Sequence, residues 1–235
     1  MALKAKLLNW KELAPEVQHF EFEVPGVENF SFTPGQFISV IDREHGREIT
    51  RAYSIASPRT GNKFALCLNR VPNGIVSRWL FELNPGDELE IHEPLGYFTL
   101  RHPGRRAVFV ATGTGIAPFR SMLLDHLPRT QPHITLLFGV RYESHLLYRD
   151  ELQRLATEYL NFKFMPTLTR PDENWRGLTG RVQAHLDEAL ALRTPDEMSN
   201  VDVYICGLKE MVDDVRRELK QRGFDRKQII YEKYD

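Results

Sequence analysis

The stretch running from Val108 to Ser121 most constrains the fold. An apolar run, Val108-Phe109-Val110-Ala111, passes through Thr112-Gly113-Thr114-Gly115 into a helical pattern that opens Ile116-Ala117-Pro118-Phe119. Pro118 suits a helix's first turn, and Ile116, Phe119, Leu123, Leu124 and Leu127 recur on one face, so the spacing predicts strand, tight turn and helix. Gly113 and Gly115 let the backbone turn sharply and approach a ligand, while the helix start directs its unpaired N–H groups at whatever lies above the turn. That ligand should be an anion, and a diphosphate fits best. The spacing is Gly-x-Gly-x-x-Pro, not the dinucleotide fingerprint Gly-x-Gly-x-x-Gly, and a turn made only for packing has similar needs. The rest of the chain must decide between the two.

After residue 106 the pattern keeps alternating. Strands are expected near Ala107–Ala111, Ile134–Gly139, Phe162–Leu168, Asp202–Cys206 and Gln228–Tyr231, with helices between them. One of these helices, Met211–Gly223, shows Met211, Val212, Val215 and Leu219 on one face and charges elsewhere. Such alternation is that of a doubly wound parallel sheet. Before residue 102 the signals differ: short runs at Leu3–Trp10, Val17–Val24, Gln36–Asp42, Ile49–Ala56, Lys63–Val71 and Glu88–His92 are separated by Pro-Gly and Asn-Gly turns. They read as an antiparallel barrel or sandwich, interrupted by one short helix at Ile75–Leu83. The expected fold is therefore all-β followed by α/β, with domains 1–102 and 103–235.

Composition narrows the functional classes. The chain has 235 residues and a formal net charge of −1, which argues against bulk nucleic-acid binding. No run approaches the roughly 18 apolar residues of a membrane span, and Met1-Ala2-Leu3-Lys4-Ala5-Lys6 alternates like a strand, so a cytoplasmic protein is expected; a monomer is the accompanying expectation, which these features do not decide. Two cysteines, Cys67 and Cys206, are too few for a disulfide framework or a four-cysteine iron–sulfur cluster, and no metal site is expected. Arg101, His102, Arg105 and Arg106 form one basic cluster, and Arg216, Arg217, Lys220, Arg222, Arg226 and Lys227 another. Each is either solvated surface or a docking patch for an acidic partner.

Several motifs share one order and spacing: Arg51-Ala52-Tyr53-Ser54-Ile55-Ala56-Ser57, Leu66-Cys67-Leu68-Asn69-Arg70, Gly74-Ile75-Val76-Ser77, Gly113–Ser121, Cys206-Gly207-Leu208-Lys209-Glu210-Met211 and Tyr231-Glu232-Lys233-Tyr234. In that order the chain resembles the ferredoxin–NADP reductase family along almost its whole length. The resemblance implies a flavin-binding barrel, FAD and NADP(H) as cofactors, hydride exchange between them, and ferredoxin or flavodoxin as the single-electron partner. It assigns FAD binding to Arg51, Ala52, Tyr53 and Ser54, to Leu68 and Arg70, and to the diphosphate turn Gly74, Ile75, Val76 and Ser77. Residue chemistry agrees: a guanidinium at Arg51 and a helix start at Gly74–Ser77 both suit phosphates, Tyr53 offers a flat face, and the Ser54 hydroxyl can reach flavin N5. Nicotinamide-nucleotide binding falls by resemblance to Gly113, Thr114, Gly115, Cys206 and Gly207, with Thr169, Arg170, Arg141 and Arg181 on the 2′-phosphate. The residues implied to be catalytic are Ser54, Cys206, Glu232 and Tyr234. Tyr234 would cover the second flavin face, and Glu232 would join a hydrogen-bonded network near Cys206 and Ser54.

The sequence departs from the family in places. The loop Val71-Pro72-Asn73-Gly74 is short, and Asp235 follows Tyr234. Trp175-Arg176-Gly177-Leu178-Thr179-Gly180 is similar to flavin reductases and oxygenase reductase components, which stand as alternatives. A nucleotide-binding subunit without turnover is a third.

Overall fold

The computed structural model describes residues 2–43, 48–129, 132–192 and 194–234. Its contacts divide the chain into two units, one comprising Met1–Leu100 with Ala117–Asp125, the other Arg101–Ile116 with His126–Asp235.

In the first unit the strands β1 (Ala2–Ala14), β2 (Val17–Glu23), β3 (Phe37–Asp42), β4 (Ile49–Ser54), β5 (Lys63–Asn69) and β6 (Glu88–His92) pair antiparallel in the order β4-β3-β6-β1-β2-β5. Beyond the end of β4 the chain closes on β5: Ile55 bridges Leu66, and Ala56 N–H donates to the Ala65 carbonyl at 2.8 Å. A barrel results, not a sandwich. Period-two alternation sends Phe20, Phe22, Phe64 and Leu66 into the core, where the Phe22 and Phe64 rings stack at 5.3 Å. Helix α1 (Ile75–Glu82) adds Val76 and Leu80 to the same core. Strand β1 runs past the expected Trp10 because register shifts at Leu7/Asn9 and Glu12/Ala14 break its alternation, which hides the continuation from a periodicity reading.

The second unit begins with β7 (Arg106–Thr112), a 3₁₀ turn at Gly113–Gly115 and the first residue of α2 (Ile116–His126). It continues with β8 (Ile134–Val140), α3 (Arg149–Glu158), β9 (Phe162–Leu168), β10 (Leu178–Thr179), α4 (Leu186–Leu190), α5 (Pro195–Met198), β11 (Val201–Leu208), α6 (Lys209–Gln221) and β12 (Ile229–Tyr234). All six strands are parallel, in the order β10-β9-β8-β7-β11-β12. The strands are near-continuous apolar runs because helices cover the sheet, and α6 packs Met211, Val212, Val215 and Leu219 into the core with Val203 and Ile205. Successive strands move outward from β7 through β8 to β9 and then return to its other side at β11. That reversal between β7 and β11 is where open α/β sheets hold ligands. Among the described residues no helix is long and apolar enough to cross a membrane.

The body of α2, residues 117–125, is fixed within the first unit. Asp125, buried, accepts both arms of the Arg59 guanidinium at 3.0 and 2.9 Å, and Ser121 Oγ donates to the Ser57 carbonyl at 2.6 Å. Phe119 meets Phe98 edge to face at 5.5 Å.

Candidate functional site

At the carboxyl ends of β7 and β11 the backbones come unusually close. Gly113 holds a left-handed φ of +54°, with nothing within 4 Å of where a side chain would start, so the turn selects glycine and leaves open space beside it. A methyl on Gly115 would run into the Cys206 carbonyl, and one on Gly207 would strike the Thr112 hydroxyl and sit 2.8 Å from Met211 Cε. Thr112 Oγ1 is buried and has no hydrogen-bond partner among the described residues. A buried hydroxyl left unmade costs free energy, and at a strand end beside a glycine turn it suits a polar ligand. Gly113, Thr114, Gly115, Cys206 and Gly207 therefore form one crevice, and Thr112 belongs with them.

Parallel register then builds the wall beside it. Cys206 pairs with Glu232 and Leu208 with Tyr234, so Cys206, Glu232 and Tyr234 share a sheet face. Burial pushes the Cys206 thiol well above its usual range, the Glu232 carboxylate adds to the effect, and a hydrogen bond from Tyr234 partly offsets both. The thiol stays protonated. Fully buried and neutral, it is not a nucleophile.

Further along the sheet, β8 and β9 extend their ladder past the strand ends: Thr169 N–H donates to the Val140 carbonyl at 3.0 Å and Arg170 N–H to the Arg141 carbonyl at 2.8 Å. Gly180 N–H donates to the Leu168 carbonyl at 2.8 Å, which brings Arg181 to the same edge. Thus Arg141, Thr169, Arg170 and Arg181, all exposed, gather at the carboxyl edge of three adjacent strands. The Arg170 guanidinium also donates to the Tyr142 hydroxyl at 3.2 Å.

In the barrel unit, alternation along β4 sets Arg51 and Tyr53 on one side and Ala52 and Ser54 on the other. Ser54 is buried, while Arg51 is exposed with one guanidinium nitrogen on the Thr50 carbonyl at 2.8 Å. Burial pushes the Tyr53 phenol up to about 12 in spite of Arg51, so it stays neutral. A side chain at Gly74 would start 2.6 Å from Ser77 Oγ and 2.9 Å from Val71 Cβ. That closeness has a structural cause: Ser77 Oγ accepts the Val71 N–H at 3.1 Å and Gly74 N–H reaches the Val71 carbonyl at 2.9 Å, which curls the loop against the start of α1. No side chain caps that helix start, and no acidic residue stands in its first turn. Its N–H groups suit a phosphate, with Arg51 as the counter-charge on the same unit. Leu68 and Val76 are packed in the barrel core, so they can offer a ligand only their backbone, and Ile75 is half exposed. The Arg70 guanidinium lies 6.0 Å from the centre of the Phe81 ring.

Comparison with known proteins matches residues 4–100 to the oxidoreductase FAD-binding domain and residues 109–217 to the oxidoreductase NAD-binding domain. The chain is 40% identical over 240 residues to ferredoxin–NADP reductase B of Sorangium cellulosum, covering 99% of this chain and 97% of that one. This chain belongs to the ferredoxin–NADP reductase family. It is an oxidoreductase with an FAD-binding and an NAD(P)-binding domain. Members of other specificity are also similar to it: the toluate 1,2-dioxygenase electron transfer component of Pseudomonas putida is 27% identical over 235 residues, covering 98% of this chain and 67% of that component. Among solved structures, a ferredoxin NADP+ reductase from Neisseria gonorrhoeae with bound FAD and NADP superposes with a TM-score of 0.86 at 26% identity, covering 99% of this chain and 98% of that one.

Within this family member the two basic clusters are partly compensated by carboxylates. Arg216 pairs with Asp213 and Arg217 with Asp214, each at 3.0 Å, and Arg222 pairs with Asp187 at 3.1 Å and Glu218 at 3.0 Å. His102 and Arg105 both lean on buried Asp202, at 2.6 and 3.3 Å. Asp213, Asp214 and Glu218 are neighbours on the same helix, whereas Asp187 and Asp202 are brought in by folding from remote positions. Tyr142 and Thr112 are the site residues that sequence reasoning missed. Tyr142 stands directly after Arg141 at a strand's carboxyl end, and that position was the available signal.

Proposed function

We propose that this chain is a ferredoxin–NADP reductase: it exchanges a hydride between NADP(H) and bound FAD and passes single electrons to a ferredoxin or flavodoxin in the cytoplasm. One observation carries the choice of NADP(H) over NAD(H), namely the gathering of Arg141, Arg170 and Arg181 with Thr169 at the carboxyl edge of β8, β9 and β10. The two cofactors differ only by a 2′-phosphate, and three guanidinium groups at a ligand-binding edge supply the charge it requires. The high identity to a relative that bears the ferredoxin–NADP reductase name and matches over nearly its whole length supports the same reading.

The protein's own groups would divide the work. Arg51 and the N–H groups at the start of α1 would hold the FAD diphosphate, with Gly74 kept bare so that the loop can stay curled on Ser77. When bound, FAD supplies the step that nicotinamide does not perform readily, accepting two electrons together and releasing them singly. Tyr53 would offer a neutral aromatic face, and Ser54 Oγ a hydrogen bond to the ring. Gly113, Thr114 and Gly115 would take the nicotinamide nucleotide's diphosphate, and the Thr112 hydroxyl would gain a partner. Cys206 keeps its proton on Sγ and presents no charge to an approaching ring, and Glu232 and Tyr234 hold that thiol from the adjacent strand.

Anaerobic reduction with NADPH against NADH, followed by transfer to ferredoxin, flavodoxin or free flavin, tests the reading. Rapid bleaching of bound flavin by NADPH and onward transfer to ferredoxin or flavodoxin is the expected result. Equal reduction by both nucleotides would sink the cofactor assignment. A second reading, an NAD(P)H:flavin reductase or oxygenase reductase component, is favoured by the Trp175–Gly180 stretch and the toluate dioxygenase relative. It requires a preparation that retains little FAD or that transfers preferentially to free flavin or an oxygenase partner.

A further inference from the structure

Tyr142 carries the furthest inference, because its contact is explicit and no proposed role accounts for it. The residue follows Arg141 at the end of β8, in extended backbone, and its ring is 41% exposed at the carboxyl edge of the sheet. The β8–β9 ladder continues to the Arg170 N–H on the Arg141 carbonyl, which brings the side chains of residues 142 and 170 together across 28 residues of chain. There Arg170 Nη1 donates to the Tyr142 hydroxyl at 3.2 Å. His145 tilts against the other part of the Tyr142 ring at 5.6 Å between centroids, which limits where the phenol can swing.

The geometry points to Tyr142 as a positioning residue for recognition of the 2′-phosphate: its hydroxyl holds one arm of the Arg170 guanidinium and leaves the other donors of the fork to face the ligand. A guanidinium has five N–H donors in a fixed plane, so tethering one of them orients the rest. An exposed arginine that is already oriented loses less side-chain freedom on binding than one that samples solvent. Tyr142 would thus raise the preference for a 2′-phosphorylated nucleotide without contributing charge. This inference rests on the reading that Arg170 recognises that phosphate.

The test uses the FAD-loaded full chain and two probes, adenosine 2′,5′-bisphosphate and adenosine 5′-monophosphate, titrated by calorimetry into wild type, Tyr142→Phe, Arg170→Ala and the double variant. No turnover is involved. Tyr142→Phe deletes one oxygen from an exposed ring and leaves folding undisturbed. It should weaken the bisphosphate about 2- to 10-fold, the effect of one intramolecular hydrogen bond, and leave the monophosphate unchanged. In the Arg170→Ala background the same substitution should add nothing. If Arg170→Ala weakens the bisphosphate at least tenfold but Tyr142→Phe has no effect, the positioning role is overturned while the 2′-phosphate reading stands. An equal loss from Tyr142→Phe in both backgrounds also overturns it, since the phenol would then act independently of Arg170. If Arg170→Ala treats both probes alike, the reading of Arg170 fails and the role of Tyr142 falls with it. Steady-state kinetics on the same proteins should show the KM for NADPH raised more than the KM for NADH.

Discussion

Acid should loosen the barrel through one histidine. His19 lies on β2 between Lys11 of β1 and Cys67 of β5, only 3% exposed, and burial followed by the charges of Arg120 and Lys11 lowers its pKa to about 3. The Glu21 carboxylate, 3.5 Å from Nε2, is about half exposed and does not reverse this. In the unfolded chain the same imidazole titrates near 6.5. Between those values the unfolded state binds a proton that the folded state refuses, so stability is full above about pH 6.5 and falls as pH drops toward 3. At pH 5 the ring sits roughly 1.5 units below its unfolded pKa, which at 1.36 kcal/mol per unit amounts to about 2 kcal/mol. The assay is urea unfolding of wild type and His19→Gln at pH 7.5 and 5.0, followed by tryptophan fluorescence. Other titrating groups are common to both proteins, so the difference of differences isolates the imidazole. Wild type should lose about 2 kcal/mol more than the variant over that interval. Identical losses would refute the buried neutral assignment, and a smaller loss in wild type would mean that the folded state welcomes the proton.

The remaining predictions concern single contacts. Gly74→Ala forces a methyl against Ser77 Oγ and Val71 Cβ, an overpacking that costs about 1–3 kcal/mol, so the variant should retain less flavin per chain after gel filtration. Arg170→Ala should weaken NADPH by about 1.5–3 kcal/mol, roughly 10- to 150-fold, and leave NADH near its starting affinity, as read by flavin difference spectra. Asp125→Ala removes both charge-assisted bonds to Arg59 and should lower unfolding stability by about 1.5–3 kcal/mol in urea.

What the sequence disclosed follows from which forces act locally. Strands β2 and β5 were readable because each alternates or runs apolar over its whole length, and the span 75–82 because its apolar residues keep helical spacing. The tail of β1 was lost at its register shifts, and β10 is two residues long, too short for any period. At the candidate site the turn at Gly113–Gly115 was legible, because a strand-to-helix junction with a left-handed backbone demands glycine there. Tyr142 carried only a positional signal, its place after Arg141 at a strand end; its contact with Arg170 arises only when two strand ends lie side by side. The charge balance of the cationic segments near residues 101–106 and 216–227 was likewise only partly legible, because Asp187 and Asp202, which answer part of their charge, are remote in sequence.

The interleaved division of the chain bears on the order of synthesis. A nascent chain of the first 102 residues contains all six barrel strands but lacks the carboxylate that grips Arg59, the Ser121 hydroxyl on Ser57 and the ring that meets Phe98. Those groups emerge only with residues 117–125, after β7 of the second unit has already left the ribosome. Amino-terminal domains ordinarily settle before the next one begins. Here the first unit is completed only after the second has started, so a fragment ending at residue 102 would carry a barrel missing one helix.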